Sequence, residues 1–297
     1  MYGTVSQDSI NALINLQRFR KFSIAQELSI LQRLTALVAS ACGYEARDEA
    51  TRTALWLRAS KIVKEAMGDC EFSDEDGAIV DLIMPEIQAT KAGVLPFQKR
   101  RDQIEVQMTA IAKTLPCQEF IARTSGFKHI GLAVIVGEAG DLSNYATIRK
   151  LWRRFGLGMA QGHEEMAYST WRMKGGLTAD DWTAAGYSPT RLGQLFGVVT
   201  VPLFMCKAKN NYGEVYTKRR AHTAVTHPDW TKGHSDMDGR RVMVKKFLSD
   251  LWSEWRGSTL PLVSEMKSTL TLIPATNNPV LKPRPGIDLA ASVHQIM

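Results

Sequence analysis

The sequence predicts a mainly α-helical chain: a helical arm, a second helical segment built around a glycine-bearing hairpin, and a loose C-terminal tail. Three observations carry that expectation. In the first half, apolar residues recur at alternating spacings of four and three, the period of one helix face. Strict apolar–polar alternation, the mark of a half-buried strand, is sustained nowhere over a useful length. Finally, glycine, tryptophan and arginine become frequent from Gly126 onward, and the composition shifts again after Arg256.

The first helix is expected over residues 7–40, where Ile24, Leu28, Leu31, Thr35 and Val38 form a seam and Gly43 supplies a stop. A second follows over 49–67 and ends before Gly68-Asp69. Eight Asp or Glu and no Lys or Arg lie between Glu65 and Glu86. Their spacing matches no calcium loop. They fit a solvated helix start instead, with Ser73 as cap and Asp74, Glu75 and Asp76 in the first turn, where the helix dipole favours carboxylates. A fourth helix is expected from Phe97 to Leu115, with Ile104, Met108, Ile111 and Leu115 on one face and Pro116 at its end. Residues 1–117 therefore read as antiparallel helices or an extended coiled-coil arm, a surface through which two copies could pair. In the second segment, 118–256, helices are expected over 130–138, 144–155, 189–207, 211–223 and 235–255, while 158–188 has no clear assignment. The tail, 257–297, includes "TNNPVLKPRPG" and shows no periodicity.

Composition narrows the function classes. With 44% hydrophobic and 23% charged residues, the chain has a globular balance rather than a disordered one. Its net charge of +7 permits a polyanionic partner without requiring one. Cys42, Cys70, Cys117 and Cys206 have neither metal-ligand nor redox spacing, which points to free thiols in a reducing compartment. No signal pattern opens the chain, and no apolar run is long enough to span a bilayer, so a cytoplasmic protein is expected.

The stretch from Ser125 to Gly131 is a glycine-bearing turn entering an apolar helix. Such a turn directs backbone amides and a positive helix end at one spot, an arrangement suited to phosphate. The expected contacts there are Gly126, Lys128, His129 and Gly131. Downstream, Arg149 and Arg153 are four apart, as are Lys150 and Arg154, and together they form a broad basic face. Ile148, Leu151, Trp152 and Phe155 turn the other way. The plain alternative is a hairpin whose glycines permit close packing and whose arginines are merely solvated.

These residues resemble the helix-hairpin-helix block of bacterial insertion-sequence transposases of the DEDD-plus-serine, bridge-RNA-guided family. The resemblance rests on Gly126, Gly131, Ala133, Ile135, Glu138, Gly140, Asp141, Tyr145, Leu151, Gly156 and Leu157. The helices from Gln7 to Cys117 are similar to that family's coiled-coil linker, and "YGEVYTKRRAH" and "GRRVMVKKFLSDLW" to its closing helices. It implies DNA binding in transposition, with DNA and a guide RNA as partners.

The family's chemistry uses four acidic residues on an N-terminal RuvC-type fold and a serine of a Ser-Gly pair. No strand-borne carboxylate set is visible, and Gln161-Gly162 stands where Ser-Gly is expected. No catalytic residue is therefore assigned, and no cofactor is expected in this chain, Mg²⁺ entering only with a partnered metal-dependent nuclease domain. Two serines lie between Leu157 and His234: Ser169, and Ser188, which reads as a helix cap before Pro189. His222, His227, Asp229, His234, Asp236 and Asp238 could surround a metal, but their spacing fits no tight ligand pattern, and turn and capping roles suffice. Two alternatives stay open: a partial transposase that supplies a serine to a composite site, and a helical scaffold that binds no nucleic acid.

Overall fold

The computed structural model describes residues 5–44, 49–68, 74–160, 163–167, 178, 181 and 188–259. The described residues all fall within one compact unit, residues 1–260; the expected loose tail, from residue 260 onward, lies outside the described residues. The described chain is mainly helical. Its one described sheet is a two-stranded antiparallel ribbon, β1 (Met159–Ala160) and β2 (His163–Ala167), within the stretch the sequence leaves unassigned. No described helix is long and apolar enough to cross a membrane.

The arm consists of α1 (Gln7–Ala41), α2 (Glu49–Met67), α3 (Asp74–Leu82) and α4 (Met84–Ala112). Helices α1 and α4 run antiparallel, since Leu34 and Val38 share a cluster with Ile87, while Ile10 and Leu13 share another with Ile104 and Met108. The second of these clusters continues through Phe120, Leu132, Phe155, Phe247 and Trp255, so the base of the arm is built into the core of the following segment. The first closes the tip, with Ala59, Ile62 and Val63 of α2, Val80 of α3 and Ile83 at the junction of α3 and α4. Arg58 and Asp76 pair across α2 and α3 at 2.8 Å. The expected cap at Ser73 lies outside the described residues.

Two expectations about the arm are corrected. Helix α4 begins at Met84 rather than Phe97. Pro85 occupies its first turn, where a missing N–H costs nothing, and the buried residues Ile87 and Val94 carry the helix through Pro96. The inward seam of α1 is also different. Thr35 and Val38 are buried, but Leu28 is 53% exposed, and the buried positions between Leu13 and Leu34 are Gln17, Arg20, Ser23 and Glu27. Arg20 and Glu27 are tolerated there because oppositely charged partners meet them. Arg20 donates to Glu105 at 2.7 Å and to Gln194, and Arg101 donates to Glu27 at 2.6 Å. Burial is the main reason the Glu27 carboxyl titrates above the usual carboxylate range, against the opposing pull of Arg101.

The following segment opens with α5 (Gln118–Arg123) and α6 (His129–Ala139). Gly131 to Val136 are all buried, as befits a helix apolar on every side, and α6 is the central element. The helix expected over 144–155 is shorter, α7 (Ile148–Arg154), and is preceded by a separate 3₁₀ turn at Leu142–Asn144. The Tyr145 carbonyl accepts from the Trp252 indole and the Arg256 guanidinium, which removes it from any helical ladder. The helix expected over 189–207 is broken into α8 (Pro189–Leu195), a π turn at Phe196–Thr200 and α9 (Val201–Met205). Pro202 cannot donate to the ladder, and the widened turn just before it absorbs that loss, with Thr200 Oγ1 donating to the Leu195 carbonyl. Helices α10 (Tyr212–Thr226) and α11 (Lys232–Thr259) close the fold as a packed pair.

Candidate nucleic-acid interface

The hairpin between α5 and α6 is held by close packing. Gly126 has φ +90°, and a Cβ there would lie 2.5 Å from the Pro202 carbonyl oxygen of α9. The Ser125 carbonyl accepts from the Asn210 amide at 2.9 Å. Phe127 is buried beside Phe247, with ring centroids 4.7 Å apart, and a Cβ on Gly131 would meet the Phe127 ring at 2.7 Å. Lys128 is exposed at the mouth of α6. His129 is half-buried, with Nε2 at 2.9 Å from Gln118 Oε1, while the Gln118 amide caps the Ala112 and Leu115 carbonyls. Both expected hairpin glycines thus have packing neighbours, and Lys128 is the cation at the turn that faces solvent.

At the other end of α6 the remaining motif residues find partners. Gly140 takes φ +78° to end the helix. Asp141 accepts from the Ser143 amide and from the Trp255 indole, each at 2.9 Å, and the Tyr145 hydroxyl donates to the Ala139 carbonyl at 2.8 Å. Glu138 is 5% exposed and collects the Gln17 amide at 3.0 Å, the Lys21 ammonium at 2.9 Å and the Arg191 guanidinium at 3.5 Å. Burial, and then the charge of Arg154, hold Arg191 below the usual arginine value.

Helix α7 presents the basic face. Arg149, Lys150, Arg153 and Arg154 are all exposed, while Leu151 and Phe155 turn into the core. Arg154 is drawn away from the other three, because its Nε donates to the Glu138 carbonyl at 3.1 Å. Arg149, Lys150 and Arg153 line a groove of about 520 Å³ together with Trp152, Leu157, Gly158 and Lys245 of α11. The Trp152 indole donates to the Lys245 carbonyl at 3.1 Å, and the Lys245 ammonium sits 5.4 Å from the Trp152 ring centroid. Burial, together with the nearby Arg241, holds Lys245 below the usual lysine value. Four cationic side chains and no carboxylate are among its described lining residues.

The structure brings three of the four expected α7 residues together in this groove, whereas none of the hairpin set, Gly126, Lys128, His129 and Gly131, is among its described lining residues. Lys245 and Trp152 were not identified by sequence reasoning as part of the site. A signal existed for the lysine, since Arg241 and Lys245 are four apart on an amphipathic helix.

Other candidates resolve into structural roles. Ser188 caps α8, its hydroxyl accepting from the Arg191 amide at 3.3 Å, while Ser169 and Gln161-Gly162 lie outside the described residues. Asp236 accepts from the Tyr216 hydroxyl and pairs with Arg240, Asp238 pairs with Arg219, and His227 and His234 stack on Trp230. Cys42 is half-buried just after α1, Cys117 and Cys206 are free thiols, and burial pushes Cys117 up to about 12, which keeps it protonated and unreactive; Cys70 lies outside the described residues. No protein-family model, curated protein or solved structure matches this chain.

Proposed function

We propose that the protein is a DNA-binding component of transposition or recombination, and that the groove between α7 and α11 receives the duplex backbone. One observation supports the binding: Arg149, Lys150, Arg153 and Lys245 converge on an open groove, and none of its described lining residues is a carboxylate. Cations gathered in this way release counterions from phosphates and fix register without reading sequence. The transposition setting rests on the helix-hairpin-helix resemblance, and within it DNA cleavage falls to a metal-dependent nuclease domain rather than to the residues described.

Fluorescence anisotropy across a salt series tests the binding. Arg149→Ala with Arg153→Ala should weaken binding to unrelated duplexes alike. For each phosphate no longer neutralised, the log–log salt slope should fall by roughly 0.9. Wild-type affinity and slope in a folded double variant would show that the groove carries no DNA.

A further inference from the structure

The connection from α10 to α11 holds a feature that duplex binding does not use. The rings of His227, Trp230 and His234 are stacked nearly parallel, with centroids 4.2 and 4.1 Å apart and interplanar angles of 7° and 4°. Two imidazoles cannot share one face of an indole at those distances, so they flank it and form a three-ring ladder. His227 and His234 are both exposed, and the ladder therefore ends in two imidazole faces not covered by the indole. The backbone fixes it: the Trp230 amide donates to the His227 carbonyl at 3.1 Å, and the His234 amide to Thr231 Oγ1 at 3.2 Å. The exposed Lys232 lies in the same turn, and its carbonyl accepts from Arg220.

The position of this ladder relative to the groove is decisive. His234 and Lys245 are eleven residues apart on α11, which is three turns plus about 20°, so they lie on one face. Asp238 and Arg241 fall on the same stripe, and both act electrostatically on Lys245. Asp238 is paired with Arg219, which leaves the stripe without an uncompensated carboxylate. Along the helix axis the separation is roughly 16 Å. That equals about five steps of 3.4 Å along a nucleic-acid strand.

We infer that the His227–Trp230–His234 ladder is a stacking site for an unpaired nucleobase, about five nucleotides from the duplex held in the groove. The preferred partner is then a junction between duplex and single-stranded DNA. Flat aromatic faces beside cations suit this ligand, because every base has a π face and stacking on a ring tolerates any sequence. A preformed ladder also removes much of the ordering cost that a lone surface ring would incur on binding. The inference builds on the groove reading, and the experiment separates the two.

The full chain is titrated against a labelled blunt duplex, the same duplex with an eight-nucleotide single-stranded extension of either polarity, and a duplex whose extension is abasic. An extension of one polarity should tighten binding about tenfold, as one stacked base would. The abasic extension should not. His234→Ala and, separately, Trp230→Ala should erase the gain while leaving blunt-duplex affinity and salt slope unchanged, with circular dichroism confirming the fold. If the blunt duplex binds normally but no extension helps, or the gain survives abasic sites or His234→Ala, the ladder assignment is wrong and the groove stands. If extensions bind through the ladder while the blunt duplex does not, the groove is wrong instead. No binding to any of the three overturns both.

Discussion

Glu138 shows how much a single side chain can organise. Its carboxylate is nearly inaccessible, yet it gathers Gln17 and Lys21 from α1 and Arg191 from α8, while its own carbonyl receives Arg154 from α7. Removing one partner from a buried charge cluster leaves the others without compensation, a loss that commonly amounts to about 3–5 kcal/mol. Glu138→Ala should therefore lower unfolding stability by roughly that amount in urea titrations. Lys245 behaves oppositely. Its folded value lies below the unfolded one, so the unfolded chain holds the proton more tightly and the group opposes folding at neutral pH. The penalty is full below the folded value and fades as pH rises through it toward the unfolded lysine value of ~10.4. Lys245→Met should consequently raise Tm at pH 7 and, within the groove reading, reduce the salt slope of DNA binding by roughly 0.9. A lower Tm would show that the ammonium is held more favourably than its surroundings imply.

Glycine substitutions separate two demands on the hairpin helices. Gly140 has φ +78° with nothing within 4 Å of an added Cβ, so Gly140→Ala should cost only the backbone strain, about 1–3 kcal/mol. Gly126 has φ +90° and the Pro202 carbonyl at 2.5 Å, so Gly126→Ala should cost distinctly more and shift the contact with α9. Equal losses in chemical denaturation would mean that the close approach is easily relieved. Much of this region was legible in the sequence: an unbroken apolar run marked α6, and glycine before Asp141 marked its end. The arm was harder to read. Leu28 satisfied the expected seam, yet Glu27 is the buried neighbour, because Arg101 reaches it from a helix 74 residues away. Hydrophobic periodicity cannot register a buried polar side chain whose partner is remote in sequence. For the same reason, the repeat of Arg149 and Arg153 was readable within one helix, whereas Lys245 joins them only through the packing of α11 against α7.

At the scale of the whole molecule, the arm and the hairpin segment share one core. Ile10 and Leu13 of α1 and Ile104 and Met108 of α4 are at most 1% exposed within a cluster that includes Phe247 and Trp255. Burying four such side chains contributes roughly 6–12 kcal/mol. That is comparable to the entire stability of an ordinary domain. A fragment limited to residues 118–256 should therefore retain helical far-ultraviolet signal but lack near-ultraviolet fine structure and cooperative melting. A sharp transition in that fragment would show that the arm is dispensable for the core.

The shared core also has a consequence for synthesis. Ile10 emerges near the start of translation, and Trp255, in the same cluster, follows 245 residues later. At bacterial or eukaryotic elongation rates of 5–20 residues per second, that interval is roughly 12–50 s. The tip cluster spans only Leu34 to Ile87 and can close early, while the first turns of α1 wait with their apolar side chains uncovered. During that interval the nascent chain is half finished, with one end of its longest helix folded and the other a ready target for chaperones.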